Sequence, residues 1–204
     1  NLTACVSSQI GCPMGCIFCA TGKRGFIRNM APYEIIEQIL TIQRDTKLKV
    51  TNVVFMGQGE PFLNFENVNE AIKILNDKLQ IGIRRITVST CGIVPKIKEI
   101  AQKELIPTLA ISLHAPNSLL RQKIMPVEKK YNLEDFLAIG DSGNYGGNDY
   151  ELLSGENGLS VDYVSRNFRN CWNYALPGMR NLEATEYYLE MIEVQENGRF
   201  CLRG

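Results

Sequence analysis

The chain reads as an α/β protein built on parallel strands. Short apolar runs alternate in order with longer amphipathic stretches, and the residues with chemical character fall where those strands should end. At 204 residues with a 45% hydrophobic share, it can build one good core or two small ones. In βα units the chemistry gathers at the C-terminal ends of the strands.

Leu2 to Ser8 is the first predicted strand and feeds a cysteine-rich loop. Tyr33 to Arg44 follows as a helix with an apolar stripe of Ile35, Ile36, Ile39 and Leu40. Asn52 to Met56 is the second strand; a Gly-rich turn and a helix from about Asn67 to Leu79 come next. Arg85 to Ser89, Val94 to Lys103 and Pro107 to Leu113 repeat the order as strand, helix and strand. These repeats make the case for a parallel sheet.

Charge is balanced at 22 basic and 22 acidic residues, so the chain has no bulk attraction for nucleic acid, although a local basic patch is compatible with it. No apolar run approaches the ~18 residues that span a bilayer, and the N-terminus does not read as a signal peptide. No membrane partner is therefore expected. Seven cysteines are an odd number, and three of them are tightly grouped. That pattern suits a reducing cytoplasm, where thiolates stay free to hold metal.

The group is Cys12, Cys16 and Cys19, in the run Gly-Cys-Pro-Met-Gly-Cys-Ile-Phe-Cys. It supplies three thiolates and no fourth ligand nearby. A structural zinc or a ferredoxin cluster takes four protein ligands. Three ligands on a tight loop suit a [4Fe–4S] cluster with one iron open to a substrate or cofactor. A zinc loop completed by a distant Cys or His is the alternative.

Residues 5 to 23 (Cys-Val-Ser-Ser-Gln-Ile-Gly-Cys-Pro-Met-Gly-Cys-Ile-Phe-Cys-Ala-Thr-Gly-Lys) resemble the RlmN/Cfr family of radical S-adenosylmethionine (SAM) RNA methyltransferases. Phe-Met-Gly-Gln-Gly-Glu-Pro-Phe-Leu-Asn at 55 to 64 and Arg-Arg-Ile-Thr-Val-Ser-Thr at 84 to 90 extend the likeness. So do Ile-Ser-Leu-His-Ala-Pro-Asn at 111 to 117 and Ile-Met-Pro-Val-Glu-Lys-Lys-Tyr at 124 to 131. The resemblance covers residues 1–136. It implies a partial (βα) barrel, a [4Fe–4S] cluster, SAM as cofactor and an electron donor for the cluster. It also implies methylation of adenosine in ribosomal RNA, and in some members transfer RNA, by a chain expected to be a monomer.

The same resemblance assigns residues. Cys12, Cys16 and Cys19 would hold the cluster, and Gly59 and Glu60 the methionine amino group of SAM. Physically, a glycine lets backbone approach a ligand and a carboxylate can bind an ammonium. A Gly-rich turn with a solvated Glu is the plainer reading. Ser89, Ser112, Leu113 and His114 would line SAM, and Phe18 would pack on its adenine unless it is simply core. His114 is the single histidine, a type more often structural than catalytic, and is taken as a binding residue.

Cys5 lies seven residues before Cys12. In the family the matching cysteine pairs with a second one near the C-terminus, which SAM first methylates. A radical from another SAM activates that methyl, the carbon joins the adenine, and Cys5 releases the adduct by forming a disulfide. A buried strand cysteine is the alternative.

Beyond Leu133-Glu-Asp-Phe-Leu137 the motifs change. The accessory N-terminal domain and the methyl-carrying cysteine motif of the family are not matched; Cys171 and Cys201 stand in other contexts, and Cys91 reads as a packing residue. Ala138-Ile-Gly-Asp-Ser-Gly-Asn and Asn148-Asp-Tyr-Glu-Leu-Leu resemble the Mg²⁺-binding motif of haloacid-dehalogenase (HAD) phosphatases, and the stretch ends in a helix from Glu183 to Ile192. The attacking Asp-x-Asp of those enzymes is not found. The expected division is a radical-SAM core at 1–136 and a HAD-like α/β segment at 137–204.

Overall fold

The computed structural model describes residues 2–115, 117–132, 138–142, 153, 158–163, 173, 175–194 and 200–203. The chain forms two compact units, one of Asn1–His114 with Gln122–Tyr131, the other of Ala115–Arg121 with Asn132–Gly204.

The first unit begins with β1 (Leu2–Cys5), then β2 (Gln9–Gly11), the single turn α1 (Ala20–Lys23) and β3 (Phe26–Asn29). Helix α2 (Pro32–Thr46), β4 (Val50–Phe55), α3 (Phe65–Asp77), β5 (Ile86–Thr90), α4 (Val94–Ile100) and β6 (Thr108–Ile111) follow. Strands β1, β4, β5 and β6 pair side by side in that order, every pair parallel. The parallel sheet expected from the alternating pattern is present, and all its C-terminal ends lie along one edge. The first predicted strand is broken: β1 stops at Cys5, and β2 turns away to pair antiparallel with β3.

Local chemistry explains the helices. Pro32 opens α2 where a missing N–H costs nothing, and the Glu34 carboxylate accepts the Ala31 N–H at 2.8 Å. Lys47 ends it in the left-handed region, φ 57°. Its buried stripe is Ile35, Ile36 and Ile39. Leu40, expected on that stripe, is 37% exposed; it lies about 100° round the helix from Ile39 and so leaves the core-facing side. Helix α3 buries Phe65, Val68, Ala71, Ile72 and Leu75 at helical spacing. These meet Val53 and Phe55 of β4 and Ile86 and Val88 of β5 in one core. Burying each such side chain contributes roughly 1.5–3 kcal/mol. Helix α5 (Ser118–Ile124) and the turn Pro126–Lys129 come later in the chain, and Met125 and Val127 add to the same core.

In the second unit β7 (Ala138–Ser142) and β8 (Gly158–Tyr163) pair in parallel. Helix α6 (Asn181–Met191), expected from Glu183, leads into β9 (Ile192–Val194), which pairs antiparallel with β10 (Phe200–Leu202). Leu159, Val161, Ala184 and Tyr188 form a small core. The Tyr188 hydroxyl sits 2.8 Å from the Ser160 carbonyl and 2.9 Å from Asn173 Oδ1, and accepts the Ala175 N–H at 3.2 Å. The motif residues 143–152, the stretch 133–137 and Cys171 lie outside the described residues.

Candidate active site

The cysteine loop starts where β1 ends and is fastened to the turn after β4. The Gly57 N–H donates to the Val6 carbonyl at 3.0 Å, and the Ser8 and Gln9 N–H groups donate to the Gln58 carbonyl at 2.9 and 3.2 Å. Ser7 Oγ accepts the Gln58 N–H at 2.9 Å. Such closeness demands glycine. A Cβ on Gly57 would lie 2.7 Å from the Val6 oxygen and 2.8 Å from the Ser7 nitrogen, and one on Gly59, φ +102°, would lie 2.6 Å from the Gln9 Cβ. The close approach that Gly59 permits is therefore to Gln9 of the cysteine loop.

Glu60 is buried, at 4% exposure, so the plain reading of a solvated turn residue does not hold. One carboxylate oxygen accepts the Phe62 N–H at 3.0 Å and the other the Cys91 N–H at 2.8 Å. Its own N–H donates to Gln9 Oε1 at 2.8 Å, while the Gln9 amide donates to Asn29 Oδ1 at 2.7 Å. Glu60 thus ties the ends of β4 and β5 together, and Gln9 ties both to the ribbon β2–β3. Asn64 adds two bonds, to the carbonyls of Ser8 at 2.7 Å and Met30 at 2.8 Å. Gln9 and Asn64 were not singled out from sequence. A polar side chain inside an otherwise small-residue motif is the signal that could have found them, because a buried amide must be satisfied.

Cys12 and Cys16 are buried and Cys19 is half-buried; none of the three is joined in a disulfide. The Cys12 N–H donates to the Gly25 carbonyl at 3.0 Å, the Cys19 N–H to the Cys16 carbonyl at 3.1 Å, and the Ile17 N–H to the Ile124 carbonyl at 3.0 Å. Cys19 caps α1, its sulfur accepting the Gly22 N–H at 3.4 Å. Burial pushes the Cys12 thiol up; the nearby Glu60 and Cys19 push it the same way, against a hydrogen bond from the Met14 backbone. A thiol held up in this way favours its thiolate only beside a cation or metal. Among the described residues, no three Cys, His, Asp or Glu side chains close around one point that a single ion would fill.

The remaining residues stand at the same sheet edge. Ser89 Oγ and Ser112 Oγ are 3.1 Å apart at the ends of β5 and β6, and the Ser112 N–H donates to the Thr90 carbonyl at 2.8 Å. Leu113 is the next residue along. His114 takes a left-handed backbone, φ 57°, and its ring lies 4.5 Å from that of Phe18 at an angle of 50°. Phe18 is 49% exposed, so it is not core. Cys5 is exposed at the end of β1 and is not the buried strand cysteine that was the alternative. Cys201 lies in β10 of the second unit.

The first unit is thus a parallel α/β sheet with a three-cysteine loop following its first strand. The sequence model of the Radical SAM superfamily matches residues 6–141, and the chain belongs to that superfamily. Within it the chain is similar to proteins described as probable dual-specificity RNA methyltransferase RlmN. It is 53% identical to the one from Nostoc punctiforme over 164 residues, covering 78% of this chain and 45% of the relative. It is 45% identical to that of Thermosipho melanesiensis over 197 residues, 95% of this chain and 56% of the relative. The chain thus spans about half the length of these relatives. A radical SAM methyltransferase from Sphaerobacter thermophilus superposes with a TM-score of 0.60 at 43% identity, covering 63% of this chain and 39% of that one. Among the described residues, no helix is long and apolar enough to cross a membrane.

Proposed function

We propose that this chain is the catalytic core of a radical-SAM methyltransferase acting on adenosine in ribosomal and transfer RNA. The observation that carries the reading is the clamped cysteine loop. Three soft thiol donors, spaced C-x3-C-x2-C, lie on a loop whose start is tied to the turn after β4 by the Gln9–Glu60 hydrogen bond. The donor set fits an iron–sulfur cluster by its softness and its number, which leaves one iron for SAM.

Cys12, Cys16 and Cys19 would hold that cluster, and an electron donor would reduce it in a cytoplasmic setting where the thiols stay free. When bound, the cluster and SAM supply one-electron chemistry and a methyl group. The chain's own residues supply position. Phe18 and His114 offer ring faces, Ser89 and Ser112 hydroxyls, Leu113 an apolar side chain, and the Gly59–Glu60 turn its carboxylate. Each oxygen of Glu60 accepts one backbone N–H and keeps lone pairs for an ammonium. Cys5, an exposed thiol, would serve thiol–disulfide exchange with a second cysteine.

We read residues 1–136 as this core. The alignment with the Thermosipho protein runs over 95% of the chain and so passes the expected boundary. That favours a tail continuing the same family over the HAD-like segment, whose motif has Ala138–Ser142 on β7 and residues 143–152 outside those described.

Anaerobic reconstitution followed by iron and sulfide analysis tests the reading. About four irons per chain are expected, together with SAM binding that the Cys12→Ala variant loses. Full iron retention in the variant lacking all three cysteines would overturn it.

A further inference from the structure

The ribbon beside the cysteine loop has an uneven charge that the proposed core chemistry does not use. Residues 1–33 hold Lys23, Arg24 and Arg28 and no carboxylate. The first acid, Glu34, is gripped by Arg28 through two bonds of 2.7 and 2.8 Å. Lys23 and Arg24 are exposed at the end of α1 and join none of the described ion pairs. Next to them all four residues of β3 are exposed, with Phe26 at 46% and Ile27 at 71%.

This surface is anchored to the loop. Asn29 of β3 holds the buried Gln9 amide, and the Met30 N–H donates to the Ser8 carbonyl at 3.2 Å. It is also continuous with the site, because Gly25 at its tip accepts the Cys12 N–H at 3.0 Å. Two free cations beside an exposed aromatic ring form the pairing that binds single-stranded nucleic acid: cations take phosphates, and ring faces take unstacked bases. Here the two apolar side chains are neighbours on one strand and adjoin both cations, so the edge is a mixed apolar and basic surface.

We propose that Lys23, Arg24, Phe26 and Ile27 form a docking strip for single-stranded RNA next to the cysteine loop. The identification of the polyanion as RNA rests on the methyltransferase reading above. The strip would present an extruded base to the site while its phosphates rest on the two cations.

The test measures binding of a fluorescent single-stranded RNA twelve-mer and of its duplex by anisotropy at several salt concentrations. The wild-type chain should prefer the single strand. Lys23→Glu with Arg24→Glu should weaken binding by about tenfold or more and lower the salt slope by about two. Phe26→Ala with Ile27→Ser should weaken it by about fivefold or more with the slope unchanged. A control of Lys73→Glu with Lys78→Glu, on and after α3, should leave affinity within about twofold of the charge-balance background. Iron content and SAM binding, measured on the same proteins, should not move in any of these variants.

Equal RNA affinity in the ribbon variants overturns the strip. So does a change in solution mass in the Phe26 and Ile27 variant with RNA binding untouched, which would make the surface a protein contact. A wild-type chain that carries iron and binds SAM but no RNA overturns the strip and leaves the core reading standing. A chain that binds RNA through these residues but takes no iron does the reverse.

Discussion

The cysteine loop with its neighbouring turns and the β7–β8 region are both small structures on parallel strands, yet they are held differently. Around the loop, buried polar groups tie strand ends to one another: Glu60 to Cys91 and Phe62, Gln9 to Glu60 and Asn29, Asn64 to Ser8 and Met30. Among the described residues of the second unit, the Tyr188 hydroxyl bonds the Ser160 carbonyl beside the apolar side chains of Leu159, Val161 and Ala184. A polar network fixes geometry as well as stability, since every member must find its partner in one arrangement. Among the described residues, this network marks the cysteine loop as a region where atomic positions are fixed from several sides. It is a fitting support for the cluster site proposed above.

The largest effect is expected at Glu60. Glu60→Ala removes the acceptor of two backbone N–H groups, from Phe62 and Cys91, in a buried setting. Each orphaned donor costs about 1–3 kcal/mol, so a loss of about 3 kcal/mol or more is expected. Glu60→Gln should lose nearly as much, because its amide nitrogen would face one N–H donor with another. Denaturant midpoints measure the loss, and amide exchange should localise it to residues 6–12, 57–62 and 91. Wild-type stability in Glu60→Gln would show that the loop does not depend on this carboxylate, and the comparison would fail.

Gly57→Ala comes next. Its Cβ would meet the Val6 oxygen at 2.7 Å and the Ser7 Oγ at 2.6 Å, so the turn and the cysteine loop must separate. A cost of about 2–3 kcal/mol is expected, with iron uptake reduced in proportion. Tyr188→Phe sharpens the contrast from the other side. It deletes the hydroxyl that serves Ser160, Asn173 and Ala175, and about 1 kcal/mol is expected from the lost bonds. Exchange should quicken over residues 158–163 and 181–191, with iron uptake unchanged.

Much of the first unit was legible because its rules are local. Period-two burial in β5, with Ile86, Val88 and Thr90 inside, and helical spacing in α3 are properties of the sequence alone. The spacing of Cys12, Cys16 and Cys19 put them forward as cluster ligands, a role that reconstitution tests. What could not be read was long-range satisfaction. Nothing near Glu60 in sequence says that its partner is Cys91, and nothing near Gln9 says that it faces Glu60, since each bond joins residues from separate βα units. The ribbon β2–β3 was missed for a related reason: all of β3 is exposed, so its residues carry no alternation of apolar and polar. The stripe on α2 was drawn one residue too wide at Leu40, because an isolated helix period does not show how broad a groove receives it.

The smallest effect concerns pH and the ribbon's anchor. The Arg28 guanidinium beside Glu34, with help from the Ala31 N–H, lowers the Glu34 carboxyl from an ordinary value of 4.5 to about 2. A group whose pKa is lower in the folded chain contributes stability above its unfolded pKa and loses it as pH falls through the folded value. Whatever Glu34 contributes is therefore intact above pH 4.5 and disappears between 4.5 and about 2. The pair is solvent-screened, so its effect on the whole unit should be slight. Glu34→Gln keeps the shape but not the charge, and its stability curve should run parallel to the wild type above pH 5 and converge on it below about 2. The informative readout is local: amide exchange at Ala31 and residues 26–30 should rise in the wild type over that acid window and stay flat in Glu34→Gln. Unchanged exchange in the wild type from pH 5 to 2 would show that the ribbon is held by Gln9 and Asn29 alone, and that Arg28 is free to serve as a third cation on the strip.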